Sequence, residues 1–205
     1  MENQLKEVHY FDRFLDGNVP PDFAEGYHRF FPRPEGAITG EWTPRYMFDP
    51  WSIRLLREAA PDARILVILR DPVERFRSGV DMRRRLPVAR GRRLDEIGAA
   101  VARGAYCDQL RRVFDVYGRE QVLVLQYERC AAQPLAEMER TLRFLGLDPA
   151  EARQPERERS RPARRKPELP GPLRDDLVAR LRPDAERLAE LCPEIDLSLW
   201  PSFAR

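Results

Sequence analysis

An arginine closes an apolar run in RILVILRDPVERFRSGV at residues 64–80, and a serine follows it eight positions later. The β-branched and aliphatic stretch from Ile65 to Leu69 predicts a strand that is buried on both faces. Arg70 would then lie at the carboxyl end of that strand, where ligands bind in open α/β sheets. A guanidinium fork combined with the hydroxyl of Ser78 suits the acceptor oxygens of a phosphate. The stretch therefore indicates an anion site.

A helix is expected to begin directly after Arg70. The sequence DPVE has the spacing of a capping box, with proline in the first turn. The helix N-terminus adds the positive end of its dipole, and Ser78 lies off the apolar stripe of the helix. The alternative is that the charges of RDPVER are only solvated ion pairs and caps on a βα turn.

Further elements alternate between helices and strands. Residues 1–35 are expected to be irregular, followed by a short strand at 37–42 and a helix from Asp49, as N-cap, to Ala60. QVLVLQY at 121–127 predicts a second buried strand. Helical periodicity runs through residues 94–117, and an amphipathic helix at 134–145 ends at Gly146. A last helix at 173–191 contains Pro183, which can break it.

The order of these elements indicates an α/β fold with a mostly parallel sheet and helices on both faces. We expect one domain over residues 1–205. Its parts are an irregular segment at 1–35, an α/β core at 36–147, an Arg- and Pro-rich loop at 151–168, and a C-terminal helix and tail at 171–205.

Composition narrows the class of protein. The 205 residues are 42% hydrophobic and 34% charged, and the net charge of +2 gives no global field for nucleic acid. The three cysteines show neither a disulfide framework nor metal-ligand spacing. No apolar stretch reaches membrane-spanning length, and the N-terminus is not a signal peptide. We therefore expect a soluble, cytoplasmic protein without a metal, a nucleic-acid partner or a membrane partner.

The segment LRDPVERFRSG resembles the 3′-phosphate-binding motif of sulfotransferases that use 3′-phosphoadenosine 5′-phosphosulfate (PAPS). The resemblance implies that Arg70 and Ser78 bind the 3′-phosphate. LKEVHYFDR is similar to a segment of the heparan sulfate glucosaminyl branch, which implies that Glu7 is the catalytic base and that His9 and Asp12 line the acceptor site. GEWTPRYM, LRDPVERFRS and VLVLQYERC then follow in the family's order, so that the resemblance covers about residues 4–147.

This resemblance implies a three-layer fold like that of P-loop NTPases, and a bacterial enzyme that transfers a sulfuryl group from PAPS. The acceptor would be a hydroxyl or amine of a saccharide or small metabolite. Glu7 and His9 are the expected catalytic residues. Trp42 and Arg45, in the GEWTPRYM element, are assigned to acceptor binding with His9 and Asp12. Arg165 and Lys166 are assigned to the cofactor, because a loop near their position closes over the nucleotide in the family.

The sequence departs from the family pattern at two places. No segment resembles the P-loop-like turn that holds the 5′-phosphosulfate, since no glycine is followed by lysine, and we expect an N-terminally truncated version of the fold. Trp42 also stands where the branch usually has lysine. A catalytically incomplete nucleotide-binding or interaction module therefore remains the alternative to an enzyme. A nucleotide kinase or NTPase is disfavoured because the sequence contains no Walker A motif.

Overall fold

The computed structural model of the protein describes residues 7–31, 36–83, 93–153 and 168–204. The helices are α1 (Phe23–His28), α2 (Arg45–Phe48), α3 (Ser52–Ala59), α4 (Pro72–Arg83), α5 (Arg93–Ala102), α6 (Cys107–Tyr117), α7 (Tyr127–Ala132), α8 (Pro134–Leu145) and α9 (Gly171–Leu191). The strands are β1 (Ile65–Leu69) and β2 (Val122–Gln126). Short 3₁₀ turns occupy Asp12–Phe14, Arg119–Gln121, Pro149–Glu151 and Leu197–Leu199.

The chain divides into two compact units. The first comprises Met1–Ile65 and Gln109–Val122, and the second comprises Leu66–Asp108 and Leu123–Arg205. Each unit carries part of the chemistry that the sequence suggests, and each is described by itself below. The expectation of one domain over the whole chain stays a prediction.

Aromatic side chains form the core of the first unit. Tyr10 packs edge-on against Phe11 and Phe14, with ring centroids 5.2 and 5.7 Å apart, and Phe11 packs at 4.8 Å on Tyr27. The expectation that residues 1–35 are irregular is wrong where α1 and the turn at Asp12–Phe14 form, because these aromatic contacts stabilise helical turns too short to be predicted from periodicity.

The segment before α3 also differs from its prediction. Residues 37–42 form no strand, and α3 begins at Ser52 rather than directly after Asp49. Asp49 instead follows the one-turn helix α2, where its carboxylate accepts a hydrogen bond from Arg45 Nε at 2.6 Å. This ion pair takes the carboxylate away from the N-cap role that the sequence suggested. The helix itself is confirmed and ends at Ala59, one residue before the expected position.

The sheet confirms the α/β class. Strands β1 and β2 are neighbours in a parallel sheet, and both form within one residue of the predicted limits. All five residues of β2 are buried, as expected. On β1, only Val67 and Leu69 lie in the core, while Leu66 and Ile68 are 41% and 54% exposed. Burial of β1 on both faces is therefore wrong, because no described element covers its second face.

The periodic stretch at residues 94–117 is two helices rather than one. The chain leaves α5 at Ala102 and turns at Gly104, whose N–H donates to the Val101 carbonyl at 2.7 Å. A Cβ at Gly104 would lie 3.2 Å from Cβ of Pro72, so the backbone passes close to the start of α4. This close approach and the turn at glycine interrupt a pattern that reads as continuous in sequence.

Helices α8 and α9 each contain or adjoin a residue type that often ends a helix, glycine after α8 and proline within α9. Gly146 has φ 75° and ends α8 where predicted, because glycine adopts the left-handed C-cap without penalty. The break that Pro183 can cause does not occur, and α9 runs through it. Leu181, Ala185 and Leu188 around it are at most 2% exposed, and burial of this face offsets the hydrogen bond that proline cannot donate.

Within the described ranges, every helix is too short or too polar to cross a lipid bilayer. The cytoplasmic location expected from the sequence stays a prediction.

Candidate functional site

His9 lies between two carboxylates in the first unit. Its Nδ1 is 2.7 Å from Asp12 Oδ2, and its Nε2 is 2.9 Å from Glu7 Oε2. A ring that carries protons on both nitrogens can donate to both carboxylates, since an ionised carboxylate only accepts hydrogen bonds. The hydrogen bond to Asp12 is the main cause that raises the pKa of His9 above 6.5, and the charge of Glu7 adds to it. The structure thus brings three of the predicted site residues together around the His9 ring.

Replacing Asp12 with asparagine is expected to lower the pKa of His9 toward its ordinary value of about 6.5, because the amide lacks the charge that favours imidazolium. In the wild-type protein, protonated His9 stabilises the folded state. That contribution is complete below about pH 6.5 and is lost as the pH rises through the higher folded-state pKa. An NMR titration of the two histidines checks this, with His28 as internal control. A pKa of His9 that is the same in both proteins would contradict the expected role of Asp12.

Arg45 completes the cluster around Asp12. Its Nε lies 3.4 Å from Asp12 Oδ2 and 2.6 Å from Asp49 Oδ2, and the hydrogen bond with Asp49 raises the pKa of Arg45. Asp12 Oδ1 is buried and has no hydrogen-bond partner among the described residues. A buried carboxylate oxygen without a donor is suited to accept a hydrogen bond from a ligand.

Trp42 is exposed, unlike Asp12 in the cluster described above. Its side chain is 59% exposed and follows Glu41 on a segment that leads into α2. The neighbouring Thr43 hydroxyl contacts the backbone of Val8 and His9, so this segment lies against the one that carries Glu7. Contact of Trp42 or Arg45 with an acceptor stays a prediction.

Arg70 is held by a separate set of groups in the second unit. It follows β1, its Nη2 lies 3.5 Å from Glu74 Oε2, and its guanidinium stacks 4.8 Å from the centroid of Tyr127. The carbonyl of Arg70 accepts a hydrogen bond from the hydroxyl of Tyr106 at 3.1 Å. Its Nε is buried without a hydrogen-bond partner among the described residues. The backbone is therefore fixed while part of the guanidinium fork remains to be satisfied.

Helix α4 adds a second arginine beside Arg70. Arg77 Nη2 lies 2.7 Å from the same Glu74 carboxylate, so two guanidiniums share one negative charge next to the N-terminus of α4. Ser78 lies one helical turn after Glu74 on the same side of α4. A pocket of about 250 Å³ beside Glu74 is lined by Val73, Glu74, Arg77, Glu168, Leu169 and Arg174, and neither Arg70 nor Ser78 is among its lining residues. The two arginines on the Glu74 carboxylate and the positive end of the helix dipole both favour an anion.

Asp71 fixes the turn that carries Arg70. This fully buried carboxylate accepts hydrogen bonds from the N–H groups of Val73, Glu74 and Ser202 at 2.9, 3.1 and 2.8 Å. The N–H of Asp71 donates to Glu128 Oε1, and Trp200 Nε1 donates to the other oxygen of Glu128. The predicted N-cap is confirmed, and the C-terminal tail and α7 reinforce it. The reciprocal half of the capping box is wrong, because Glu128 rather than Glu74 accepts from the N–H of Asp71.

Replacing Asp71 with alanine is expected to lower the free energy of unfolding by about 2–4 kcal/mol, since the helix loses its cap and the Ser202 N–H is left buried without an acceptor. Asp71→Asn keeps an oxygen for the cap, so we expect a smaller loss of about 1–2 kcal/mol. Urea denaturation measures both. Asp176→Ala is the matched control, because this carboxylate is 52% exposed and pairs with Arg180 at the surface. An equal loss in Asp71→Ala and in the control would contradict the role of the cap.

Sequence reasoning missed several residues that support these sites. Tyr106 is a core aromatic, and its hydroxyl also donates to the Arg70 carbonyl. Glu128 follows the second strand, and the carboxyl ends of parallel strands share an edge of the sheet. Its position in the sequence could therefore have predicted that it lies near Arg70 and Asp71. No sequence pattern indicated the contacts of Thr43 and Trp200, because their hydrogen-bond partners lie 35 and 72 residues away along the chain.

Two predicted cofactor residues, Arg165 and Lys166, lie outside the described residues. Within the described ranges, no group of three or more His, Cys, Asp or Glu side chains is arranged to hold a metal ion. Chemistry without a metal stays a prediction.

Comparison with known proteins shows the family to which the chain belongs. The sequence model of the sulfotransferase family matches residues 9–151. The chain is 29% identical over 153 residues to mouse (Mus musculus) heparan sulfate glucosamine 3-O-sulfotransferase 6, a match over 69% of this chain and 43% of that protein. It is 27% identical over 154 residues to human (Homo sapiens) heparan sulfate glucosamine 3-O-sulfotransferase 3B1, over 69% and 38%. The chain thus spans about two fifths of the length of these curated relatives.

Comparison of the structures supports the same family. The crystal structure of a sulfotransferase from Alicyclobacillus acidocaldarius superposes with a TM-score of 0.71 at 29% sequence identity, covering 95% of this chain and 85% of the other. The resemblance that LRDPVERFRSG and LKEVHYFDR carried is therefore confirmed. The chain belongs to the sulfotransferase family.

Proposed function

We propose that this chain transfers a sulfuryl group from PAPS to a hydroxyl or amine of a saccharide or small metabolite. Membership of the sulfotransferase family supports the type of reaction, and two of its relatives are named as heparan sulfate glucosamine 3-O-sulfotransferases. The observation that carries the proposal is the pair of arginines, Arg70 and Arg77, that shares the single carboxylate of Glu74 where β1 ends and α4 begins.

The surroundings of Arg70 fit the 3′-phosphate of PAPS. Arg70 and Arg77 together carry two positive charges against the single carboxylate of Glu74, and Arg70 Nε has a proton to donate to an anion. The hydroxyl of Ser78 supplies a further donor. Charge-assisted hydrogen bonds of this kind are about twice as strong as neutral ones. Arg70 and Ser78 would thus select a nucleotide that carries a 3′-phosphate.

The cluster around His9 fits the acceptor side of the reaction. The carboxylate of Glu7 takes the proton that the acceptor hydroxyl or amine loses as its oxygen or nitrogen bonds to sulfur. When bound, PAPS supplies the activated sulfuryl group, and the bond from sulfur to the 5′-phosphate oxygen breaks. Positioning and charge stabilisation supply most of the catalysis in such a transfer, as they do in phosphoryl transfer.

His9 and Asp12 hydrogen-bond to each other, and Asp12 also binds the acceptor. Protonated His9 hydrogen-bonds to both carboxylates and so keeps Glu7 and Asp12 in fixed positions. Asp12 Oδ1, which has no donor among the described residues, accepts a hydrogen bond from a hydroxyl of the acceptor. Arg45 holds Asp12 from the other side.

Isothermal titration calorimetry with adenosine 3′,5′-bisphosphate, the desulfated nucleotide, tests the donor site. A transfer assay with radiolabelled PAPS tests the reaction against heparan sulfate, a neutral glycoside and glucosamine. Binding together with transfer to at least one acceptor supports the enzyme. Binding with no transfer to any of the three indicates the alternative, a catalytically incomplete nucleotide-binding module. Failure to bind the desulfated nucleotide contradicts the enzyme and the nucleotide-binding module, and leaves an interaction module as the interpretation.

A further inference from the structure

Three successive backbone N–H groups next to Glu7 are bound by two hydroxyls of another segment. Val8 and His9 donate to Thr43 Oγ1 at 3.2 and 3.4 Å, and Tyr10 donates to the hydroxyl of Tyr46 at 2.7 Å. We call Thr43 and Tyr46 the hydroxyl clamp. Both side chains are buried, at 7% and 6% exposure.

The clamp acts on a backbone conformation that is unfavourable by itself. His9 has φ 53°, in the left-handed region that side chains other than glycine rarely adopt. A left-handed residue turns successive N–H groups toward one point, and here the Thr43 hydroxyl occupies that point. Such a conformation persists only where the surrounding structure holds it.

The hydroxyl of Thr43 has its full set of hydrogen bonds. It donates to Glu41 Oε2 at 2.7 Å, while Glu41 Oε1 accepts from the hydroxyl of Tyr27 at 2.7 Å. A threonine hydroxyl has one proton to donate and two lone pairs to accept with. Because Glu41 takes the proton, both lone pairs are left for the N–H groups of Val8 and His9. Glu41 therefore orients the Thr43 hydroxyl so that its lone pairs face these two N–H groups.

The consequence of this conformation is the position of two side chains. At the left-handed residue the chain bends so that Glu7 Oε2 reaches His9 Nε2 at 2.9 Å, while Asp12 reaches Nδ1. A residue in the ordinary extended or helical region would direct these side chains differently. The contacts that raise the pKa of His9 thus form at the same backbone turn.

We propose that Thr43, oriented by Glu41, is a positioning residue that holds His9 in its left-handed conformation and thereby presents Glu7 to the acceptor. This inference rests on the proposed function for its effect on the reaction, but its structural part does not. Neither Thr43 nor Glu41 takes part in the proton transfer.

Thr43→Val, which removes the hydroxyl at nearly constant volume, tests the proposal, and Thr43→Ser, which keeps the hydroxyl, is its matched rescue. In Thr43→Val we expect the pKa of His9, measured by NMR, to fall toward about 6.5, because Glu7 and Asp12 no longer both reach the ring. The turnover number for sulfuryl transfer should fall by about tenfold or more, within the range of general-base effects. Binding of adenosine 3′,5′-bisphosphate should not change. Thr43→Ser should restore both measured quantities.

Ser52→Ala controls for the loss of a buried hydroxyl in the same unit, since Ser52 is fully buried and its Oγ has no described partner. It should leave the pKa of His9 unchanged. Where Thr43→Val fails to fold, Tyr46→Phe removes the other hydroxyl of the clamp and should lower the pKa of His9 in the same direction.

The outcomes separate the two proposals. If the pKa of His9 responds to Thr43→Val but the wild-type protein transfers no sulfuryl group, the positioning stands and the proposed function fails. If the pKa of His9 is unchanged in both Thr43→Val and Tyr46→Phe, the positioning proposal is overturned, even where turnover falls. Loss of turnover in Thr43→Ser equal to that in Thr43→Val also overturns it, because the hydroxyl would then not be the group that matters.

Discussion

Replacing Glu7 with glutamine is expected to lower the rate of sulfuryl transfer by about 10²–10⁴-fold, because the amide cannot take a proton from the acceptor. The shape of the side chain is retained. Adenosine 3′,5′-bisphosphate should bind with an unchanged dissociation constant, because Arg70 and Ser78 bind the nucleotide in our proposal. The two measurements are the transfer assay with radiolabelled PAPS and calorimetric titration with the desulfated nucleotide.

Glu58→Gln is the matched control for this substitution. Glu58 is an exposed glutamate on α3 in the same unit, and the same chemical change there should leave transfer unaffected. Turnover in Glu7→Gln within about threefold of the wild-type rate would rule out Glu7 as the base. A parallel loss of nucleotide binding would instead show that the substitution disturbs the fold, and a thermal denaturation curve distinguishes that outcome.

Replacing Arg70 with alanine is expected to weaken binding of adenosine 3′,5′-bisphosphate by about 10- to 150-fold, the range for losing one hydrogen bond to a charged group. Adenosine 5′-monophosphate, which lacks the 3′-phosphate, should bind equally to both proteins. Arg70→Lys should recover only part of the affinity, since lysine keeps the charge but loses the planar fork. Calorimetry with both nucleotides measures the selectivity that Arg70 confers.

The control for this substitution is Arg180→Ala, which removes an arginine of α9 whose partner is Asp176 at the surface. We expect no change in affinity for either nucleotide. Equal losses of affinity for the bisphosphate and the monophosphate in Arg70→Ala would mean that Arg70 supports the structure of the site rather than binds the 3′-phosphate. An unchanged affinity for the bisphosphate would refute the 3′-phosphate site outright.

The elements that the sequence predicted well are those specified by neighbouring residues. Strand β1 and the start of α4 follow from a β-branched run and from Asp71 and Pro72, which act within one turn. The end of α8 follows from Gly146, because only the left-handed C-cap has to be accommodated there. Arg70 and Ser78 were thereby placed at the right element from sequence.

Predictions failed where distant residues decided the conformation. Periodicity could not show that α5 and α6 are separate, because the turn at Gly104 is set by its packing on Pro72. Burial of β1 on both faces was wrong, because the pattern of a strand does not say which of its faces another element covers. The role of Asp49 was wrong because Arg45 takes its carboxylate.

The sequence by itself determined the types of residue available for chemistry and the local elements that carry them. Its ordered motifs also determined the family, which the comparisons confirm. Local hydrogen bonds and backbone propensities were sufficient for this, since they act over a few residues.

Only the tertiary structure decided how those residues are held. The left-handed conformation of His9 lies where the Thr43 hydroxyl accepts from the N–H groups of Val8 and His9, through hydrogen bonds between groups 35 and 34 residues apart. The turn at Arg70 likewise depends on Tyr106, 36 residues away, and on Glu128. Contacts over such separations form only when the whole chain packs, because the entropy of closing these loops must be offset by burial elsewhere.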